Sequence, residues 1–588
     1  MKKKLFFPLT VIISLMIIVL VIFLLSTKTK DYFTVEFRLN GGVLISGSLK
    51  QTVKYGENAK PPVVNKDGEM FLEWSDDYTK ITKNMVIYAI WDHKASYGLE
   101  FEVHYNGNYS LLAGCFDDLV GDVYVSAFYE NRRVIGVNDY AFNNCNRITK
   151  VSLPDGIYSI GNYSFSNCIT LKTMELPNTL VNIGEYCFNG CSSLENIVLP
   201  ESLITIGKNA FNGCQNIKTI YLGKNVQNIT SESFNNMSGL SSIIVHEENP
   251  YFMSIDGNLY SKDGKTLIKY ASGKTDLVFD IPDSVEVIDS YAFENVSTLT
   301  KINISNNIFE FKQNAIVGCD NLQYTTYDNA YYIGNLDNPY LMLLKVYNQS
   351  ASNITIHENT LFIYSDAFRD CINLETVSLP DGLYSIGNYA FYNCKSLVNV
   401  DIPLSVDYIG NNCFEECQSL ESINVPSGVT ILSDSTFKNC YSLKDVSLSK
   451  NLQSIESYAF YGCSSLEEIK LPLSLEYIGN AVFSSCTSLK EIVIPNNVKE
   501  LGREAFLNCT ALQNVTLSNS LEIIMTSAFS SCPSLKYLYI PLSVTKVESF
   551  IFTNSVLTIE CEATSKPSGW SNLWVPITCT VIWNGKKK

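Results

Sequence analysis

Histidine is almost missing from this chain: His93, His104, His246 and His357 are spread over 588 positions. None stands near another, and none falls in an HExxH or triad-like setting. Histidine-based metal sites and nucleophile–base pairs therefore have no basis in the sequence. Charge is also sparse, at 17% of residues against the usual quarter. The 43 Lys and Arg are scattered and outnumbered by 59 Asp and Glu. A net charge of −16 argues against nucleic acid, which needs a concentrated basic face, and reads as solubility. Gly41, Gly42 and Gly47 cluster, but no helix or GK[ST] follows, so they read as a turn and not a phosphate loop. Carboxylate pairs such as Glu247-Glu248 and Glu467-Glu468 read as surface pairs, because acid–base catalysis needs an enclosed site that shifts pKa. No cofactor and no catalytic residue is expected. With 46% hydrophobic residues the chain is nevertheless a folded one.

What is abundant is periodic. Phe142, Phe165, Phe188, Phe211 and Phe234 are 23 residues apart. The same step joins Phe368, Phe391, Phe414, Phe437, Phe460, Phe483, Phe506, Phe529 and Phe552, and also Phe293 and Ile316. That makes 16 repeats across residues 135–556. Five before each Phe stands an aliphatic residue, one before a small one, three after usually Cys, and six after Leu or Ile. Positions nine and eleven after are aliphatic and twelve after is often Pro. Leu194-Glu195-Asn196-Ile197-Val198-Leu199-Pro200 alternates with period two, which predicts a short strand with one buried side, ended by proline. One such unit cannot bury its apolar side alone, so the copies must stack into a solenoid with a parallel sheet. All five Trp (Trp74, Trp91, Trp570, Trp574 and Trp583) lie outside the repeats, where no fixed slot limits side-chain volume.

The pattern I-G-x-x-A-F-x-x-C-x-x-L-x-x-I-x-L-P resembles the BspA-like, Treponema-type class of bacterial leucine-rich repeats. Ile386-Gly387-Asn388-Tyr389-Ala390-Phe391-Tyr392-Asn393-Cys394 is a near-consensus copy. The resemblance implies a leucine-rich-repeat horseshoe or curved rod, with a parallel sheet on one face and a surface too open to be an enzyme pocket. It also implies a role in adhesion at the bacterial cell surface.

Two departures break the period, near 246–281 and 325–358. In the first, two alternating runs around Lys262-Asp263-Gly264 predict a hairpin with a type I′-like turn. In the second, Tyr331-Tyr332-Ile333-Gly334 and Leu343-Leu344-Lys345-Val346 predict a hairpin around Asn338-Pro339. Insertions of this kind are expected outside the stack. Residues 31–95, with Thr34 to Gly42, Val53 to Glu57, Gly68-Glu69-Met70-Phe71-Leu72-Glu73-Trp74 and Met85 to Trp91, are similar to the Listeria–Bacteroides (internalin B-type) repeat. That similarity implies a small β-grasp-like module. Residues 96–134 and 557–588 are expected to cap the two solenoid ends, which would otherwise expose core and unpaired strand.

Ahead of all this, Lys2, Lys3 and Lys4 precede an apolar run from Leu5 to Leu25. As a helix it would span about 31 Å, enough for a bilayer core of ~30 Å. Residues 1–30 are read as a basic tip and transmembrane anchor, with the N-terminus inside and the bulk of the chain outside. A cleaved signal is the alternative, although no small-residue cleavage pattern follows the run.

Of 18 cysteines, 13 occupy one slot, from Cys145 to Cys532, and Cys187 and Cys413 take the small slot before Phe. Met237, Val296 and Ser555 replace Cys at its slot, so the position asks for a compact side chain and the cysteines are expected as buried thiols. Metal spacing is absent. Cys561 and Cys579 are the one candidate disulfide. Binding must come from the outward strand positions, eight and ten after Phe. Most are polar, but Val198, Tyr221 and Ile244 are apolar in three successive repeats and form the candidate ligand-binding column; Val493 with Tyr537 and Tyr539 is a second. The expected partner is an extracellular protein or glycan, with the membrane contacted through residues 5–25. The competing reading is a structural envelope protein without a dedicated ligand.

Overall fold

The computed structural model describes residues 31–588 apart from 67–69, 93–95, 97, 105–106, 117–118, 131 and 587–588. Among the described residues no helix is long and apolar enough to cross a membrane. The span expected at residues 5–25 lies outside them. The chain divides into two compact units, Met1–Gly257 and Asn258–Lys588.

In the first unit, the N-terminal segment forms a four-stranded mixed sheet ordered Lys50–Lys54, Tyr32–Arg38, Met85–Asp92, Met70–Trp74. Tyr32–Arg38 runs parallel to Met85–Asp92 and antiparallel to Lys50–Lys54. Phe37 packs edge-on against Trp74 at 4.8 Å, and the Trp91 indole N–H donates to the Leu39 carbonyl. A β-grasp carries a helix against its sheet. The described residues here hold none, so the segment is a mixed sheet with its own small core and the module expected there finds no further support.

Repeats follow through two parallel ladders per turn, not one. The expected ladder lies six to ten residues after Phe: Ile148–Ser152, Thr173–Glu175 and Asn196–Ile197 pair in register. A second lies six and five before Phe, where Ser159–Ile160, Asn182–Ile183 and Thr205–Ile206 also pair in parallel. The single-faced sheet is therefore corrected to a β-solenoid with two sheeted faces. Both ladders begin in the preceding segment, since Tyr109–Cys115 pairs with Arg132–Val137 and Gly121–Tyr124 with Ile148–Ser152.

Phenylalanine fills the space between the ladders. Phe142, Phe165 and Phe188 are fully buried and stacked, with centroids 4.8 and 5.4 Å apart and rings within 12° of parallel. Left-handed residues two before and two after the Phe carry the chain around the corner in the regular repeats; around Phe391 these are Tyr389 (φ 55°) and Asn393 (φ 60°). Asparagine tolerates that region better than most side chains, and its amide also links turns: Asn167 donates to Asn144 at 3.1 Å.

The second unit repeats the plan from Val287–Ile288 to Lys546–Val547 and closes with Tyr537–Ile540, Thr558–Cys561 and Thr580–Trp583 in one parallel sheet. Each unit is thus a β-solenoid built from stacked turns of the repeat. The insertions are not appended outside it. Asn258–Ser261 and Thr266–Lys269 form an antiparallel pair, and Thr266–Lys269 then pairs in parallel with Val287–Ile288. Ala330–Ile333 and Met342–Val346 form the second expected hairpin, whose last strand pairs in parallel with Phe362–Ile363. The type I′-like turn is also relocated. At Lys262-Asp263-Gly264 only Gly264 has positive φ, whereas Asp256 (50°) and Gly257 (74°) are left-handed in succession, as a I′ turn requires.

Candidate functional site

Strand alternation decides which side chains leave the core. Ile220 and Ile243 are 1% and 0% exposed, while their neighbours Tyr221 and Ile244 are 45% and 44% exposed. Val198 is 81% exposed. All three candidate side chains thus point outward. Tyr221 and Ile244 are directly paired in register, with Cα rows about 4.8 Å apart as in any ladder. Val198 is separated from them by a break: Asn196–Ile197 ends one sheet and Thr219–Leu222 begins the next. An open groove of about 550 Å³ lies there, with Glu195 and Val198 on one side and Lys218 and Thr219 on the other. The strand Phe252–Ile255 does not fold over this patch. Gly257 accepts from the Ile243 amide at 2.8 Å and the Ser254 hydroxyl from Val245 at 3.3 Å, which places the segment beside the sheet edge. The His246 ring stands edge-on to Tyr221 at 6.5 Å.

At the other candidate, Val493 is 60% exposed. Tyr537 is tied down, its hydroxyl donating to Glu560 at 2.7 Å; burial first, and then that carboxylate, push the phenol up to about 12.

The cysteines are shaped for packing, not chemistry. In eleven repeats the thiol donates to the carbonyl of the preceding repeat's Phe, over 2.9–3.2 Å, as Cys417 does to Phe391. Desolvation raises thiols along the column, Cys371 to about 11 and Cys319 and Cys532 to about 12. A thiol held protonated is a poor nucleophile and a poor metal ligand. Cys145 departs from the expected free thiol, being bonded to Cys115. As the first repeat it has no preceding Phe carbonyl to accept its proton, and the strand Tyr109–Cys115 ends beside it. The candidate bridge between Cys561 and Cys579 is not formed; both are free. Thr580 lies opposite Thr558 in the final ladder and Cys561 opposite Trp583, so the two cysteines sit several residues apart along neighbouring strands. Among the described residues no group of three or more His, Cys, Asp or Glu could hold a metal ion.

Sequence reasoning missed one further place, a cleft beside the second insertion lined by Tyr324, Tyr331, Arg369 and Asp370. Its signal was present in two slot violations: Ile316 where Phe is the rule and Tyr364 where seven repeats have Gly.

Comparison with known proteins agrees with this architecture. Residues 136–262, 275–336, 346–452 and 430–558 match the BspA type leucine-rich repeat region (6 copies). These segments make up well over half of the chain, and the protein belongs to the BspA-type leucine-rich-repeat family. Among solved structures it is similar to a leucine-rich repeat protein from Bacteroides ovatus, with 24% identity, 76% of this chain and 94% of that one covered, and a TM-score of 0.30. A leucine-rich cell surface protein from Faecalibacterium prausnitzii gives 22%, 72%, 93% and 0.29, and the pneumococcal vaccine antigen PcpA gives 20%, 65%, 92% and 0.34. No curated protein matches the chain.

Proposed function

We propose that the protein is a non-enzymatic bacterial cell-surface binding protein that presents its repeat surface to an extracellular protein or glycan. The observation that carries this reading is the outward pair Tyr221 and Ile244, with Val198 across the groove. Aligned apolar groups on an otherwise polar strand face mark interaction sites, and a tyrosine suits a binding hot spot. A spacer without a ligand needs only a solvated polar face, so these residues favour binding over a purely structural role. Protonated, buried thiols and scattered histidines support the non-enzymatic reading.

A screen of the full-length protein against extracellular-matrix proteins and glycans tests it, with Tyr221→Ala measured on the strongest binder. Binding should weaken by ~1–2 kcal/mol while the melting temperature stays put. A drop in melting temperature with unaltered binding would return Tyr221 to a packing role.

The reading includes a membrane tether at residues 5–25, with the mixed sheet of residues 32–92 as a stalk. Cells producing the protein should retain it in the membrane fraction, and external protease should digest it. Recovery of the chain from the medium, starting near Lys28, would mean a cleaved signal instead.

A further inference from the structure

In regular repeats successive turns touch. A Cβ added to Gly387 would come within 2.6 Å of the Ser365 amide nitrogen, and Phe391, like its counterparts, donates its amide to the next turn, here to Cys413. Between the turns 314–318 and 366–370 this pattern is broken. The strand Met342–Val346 enters here, and the Val346 amide takes the Ala367 carbonyl. Tyr364, in the glycine slot, fills part of the interval: its hydroxyl accepts from the Ala315 amide at 2.8 Å and donates to the Lys312 carbonyl at 3.1 Å. Ile316, smaller than the usual Phe, leaves the remainder open. The result is a cleft of about 580 Å³, within the about 300–1,000 Å³ of small-ligand sites.

Its lining sets aromatic rings opposite paired charges. Tyr324 and Tyr331 stand on the rim with centroids 5.3 Å apart, and Tyr347 continues the row 4.8 Å from Tyr331. Facing them, Arg369 is held by Asp366 at 2.6 Å and lies over the Tyr392 ring at 4.4 Å. Asp366 also accepts from Gln313 at 2.9 Å, and Asp370 from Asn393 at 2.7 Å. The polar groups are therefore fixed before any ligand arrives, and two carboxylates are balanced by Arg369 and Lys345.

We propose that this cleft is a carbohydrate-binding site for a short neutral oligosaccharide. Sugar C–H groups carry slight positive charge and pack on the electron-rich face of an aromatic ring, which Tyr331 and its neighbours offer. Each sugar hydroxyl both donates and accepts, so it uses carboxylates and cations alike. A charged ligand would be repelled by one half of the lining. The site is independent of Tyr221, which lies in the other unit.

The test is saturation-transfer NMR of the full-length protein with a panel of free oligosaccharides of glucose, galactose, mannose, xylose and N-acetylglucosamine, alongside neutral peptides. At least one oligosaccharide should receive saturation on its ring C–H protons. Tyr331→Ala should lower that affinity about tenfold or more, whereas Tyr331→Phe, which keeps the ring, should stay within about twofold. Tyr221→Ala should leave it unchanged, so the two sites succeed or fail separately. If Tyr331→Ala does not fold, Asp370→Asn carries the test, since it keeps shape and tolerates positive φ; about fivefold weaker binding is expected. A panel with no binding sugar, binding of peptides only, or sugar binding indifferent to the variant that folds overturns the proposal.

Discussion

Raising the pH from 8 toward 11 should unfold the repeats cooperatively, well before any covalent damage. An unfolded cysteine loses its proton near 9.0, whereas the buried thiols keep theirs, Cys371 to about 11 and Cys319, Cys532 and Cys561 to about 12. Above the unfolded value the unfolded chain binds fewer protons than the folded one, so stability falls as pH rises. The contribution is whole below about 9 and gone once pH has climbed through the folded values. At about pH 10 each buried thiol favours the unfolded state by on the order of 1 kcal/mol. Cys417, Cys440, Cys463, Cys486 and Cys509 lie in five successive turns and are fully buried, so that stretch alone would lose on the order of several kcal/mol. Such a sum rivals the whole stability of an ordinary domain, about 5–15 kcal/mol. Circular dichroism followed together with thiolate absorbance should show both changes at one midpoint. Thiolate appearing while the sheet signal persists would mean the cysteines are not the buried column described here. Replacing Cys440, Cys463 and Cys486 with alanine should move the midpoint upward.

The second large effect is local. Phe391→Ala should cost ~3–5 kcal/mol, the range for deleting a buried aromatic ring. Phe391 is fully buried between Phe368 at 4.6 Å and Phe414 at 5.2 Å, so both neighbours lose a stacking partner. Because each turn contacts mainly its neighbours, the loosening should begin around residues 365–420 and fade outward. Hydrogen exchange would resolve this as faster exchange centred on those turns. Protection identical to that of the parent protein would contradict the column.

The 23-residue spacing of Phe made the solenoid, its core column and the outward strand positions legible, because buried slots restrict side-chain volume and so repeat. Val198, Tyr221 and Ile244 could be placed on the surface by alternation alone. The sheet break beside Val198 could not, since it depends on how far strands run and not on which residues alternate. The second ladder was hidden for a similar reason: Ser385–Ile386 is two residues long, too short for a period-two pattern. Insertions were recognised as hairpins, yet nothing in Leu343-Leu344-Lys345-Val346 announces that the strand also pairs with Phe362–Ile363. The Cys115–Cys145 bond depends on a cap strand being threaded back to the first turn. The cleft around Tyr331 follows from an interval widened by inserted chain, and only Ile316 and Tyr364, as broken rules of the repeat, hint at it.

The reach of the corner hydrogen bonds has a consequence for how such a chain comes into being. Phe391 needs the carbonyl of Cys413, Asn393 that of Glu415, and Phe414 that of Thr436. Within a regular run, what these corner amides lack is supplied by the next turn and not by a distant part of the chain. A polypeptide delivered end first can thus complete each turn as soon as one further turn has emerged, leaving a single unfinished edge that travels along with the point of delivery.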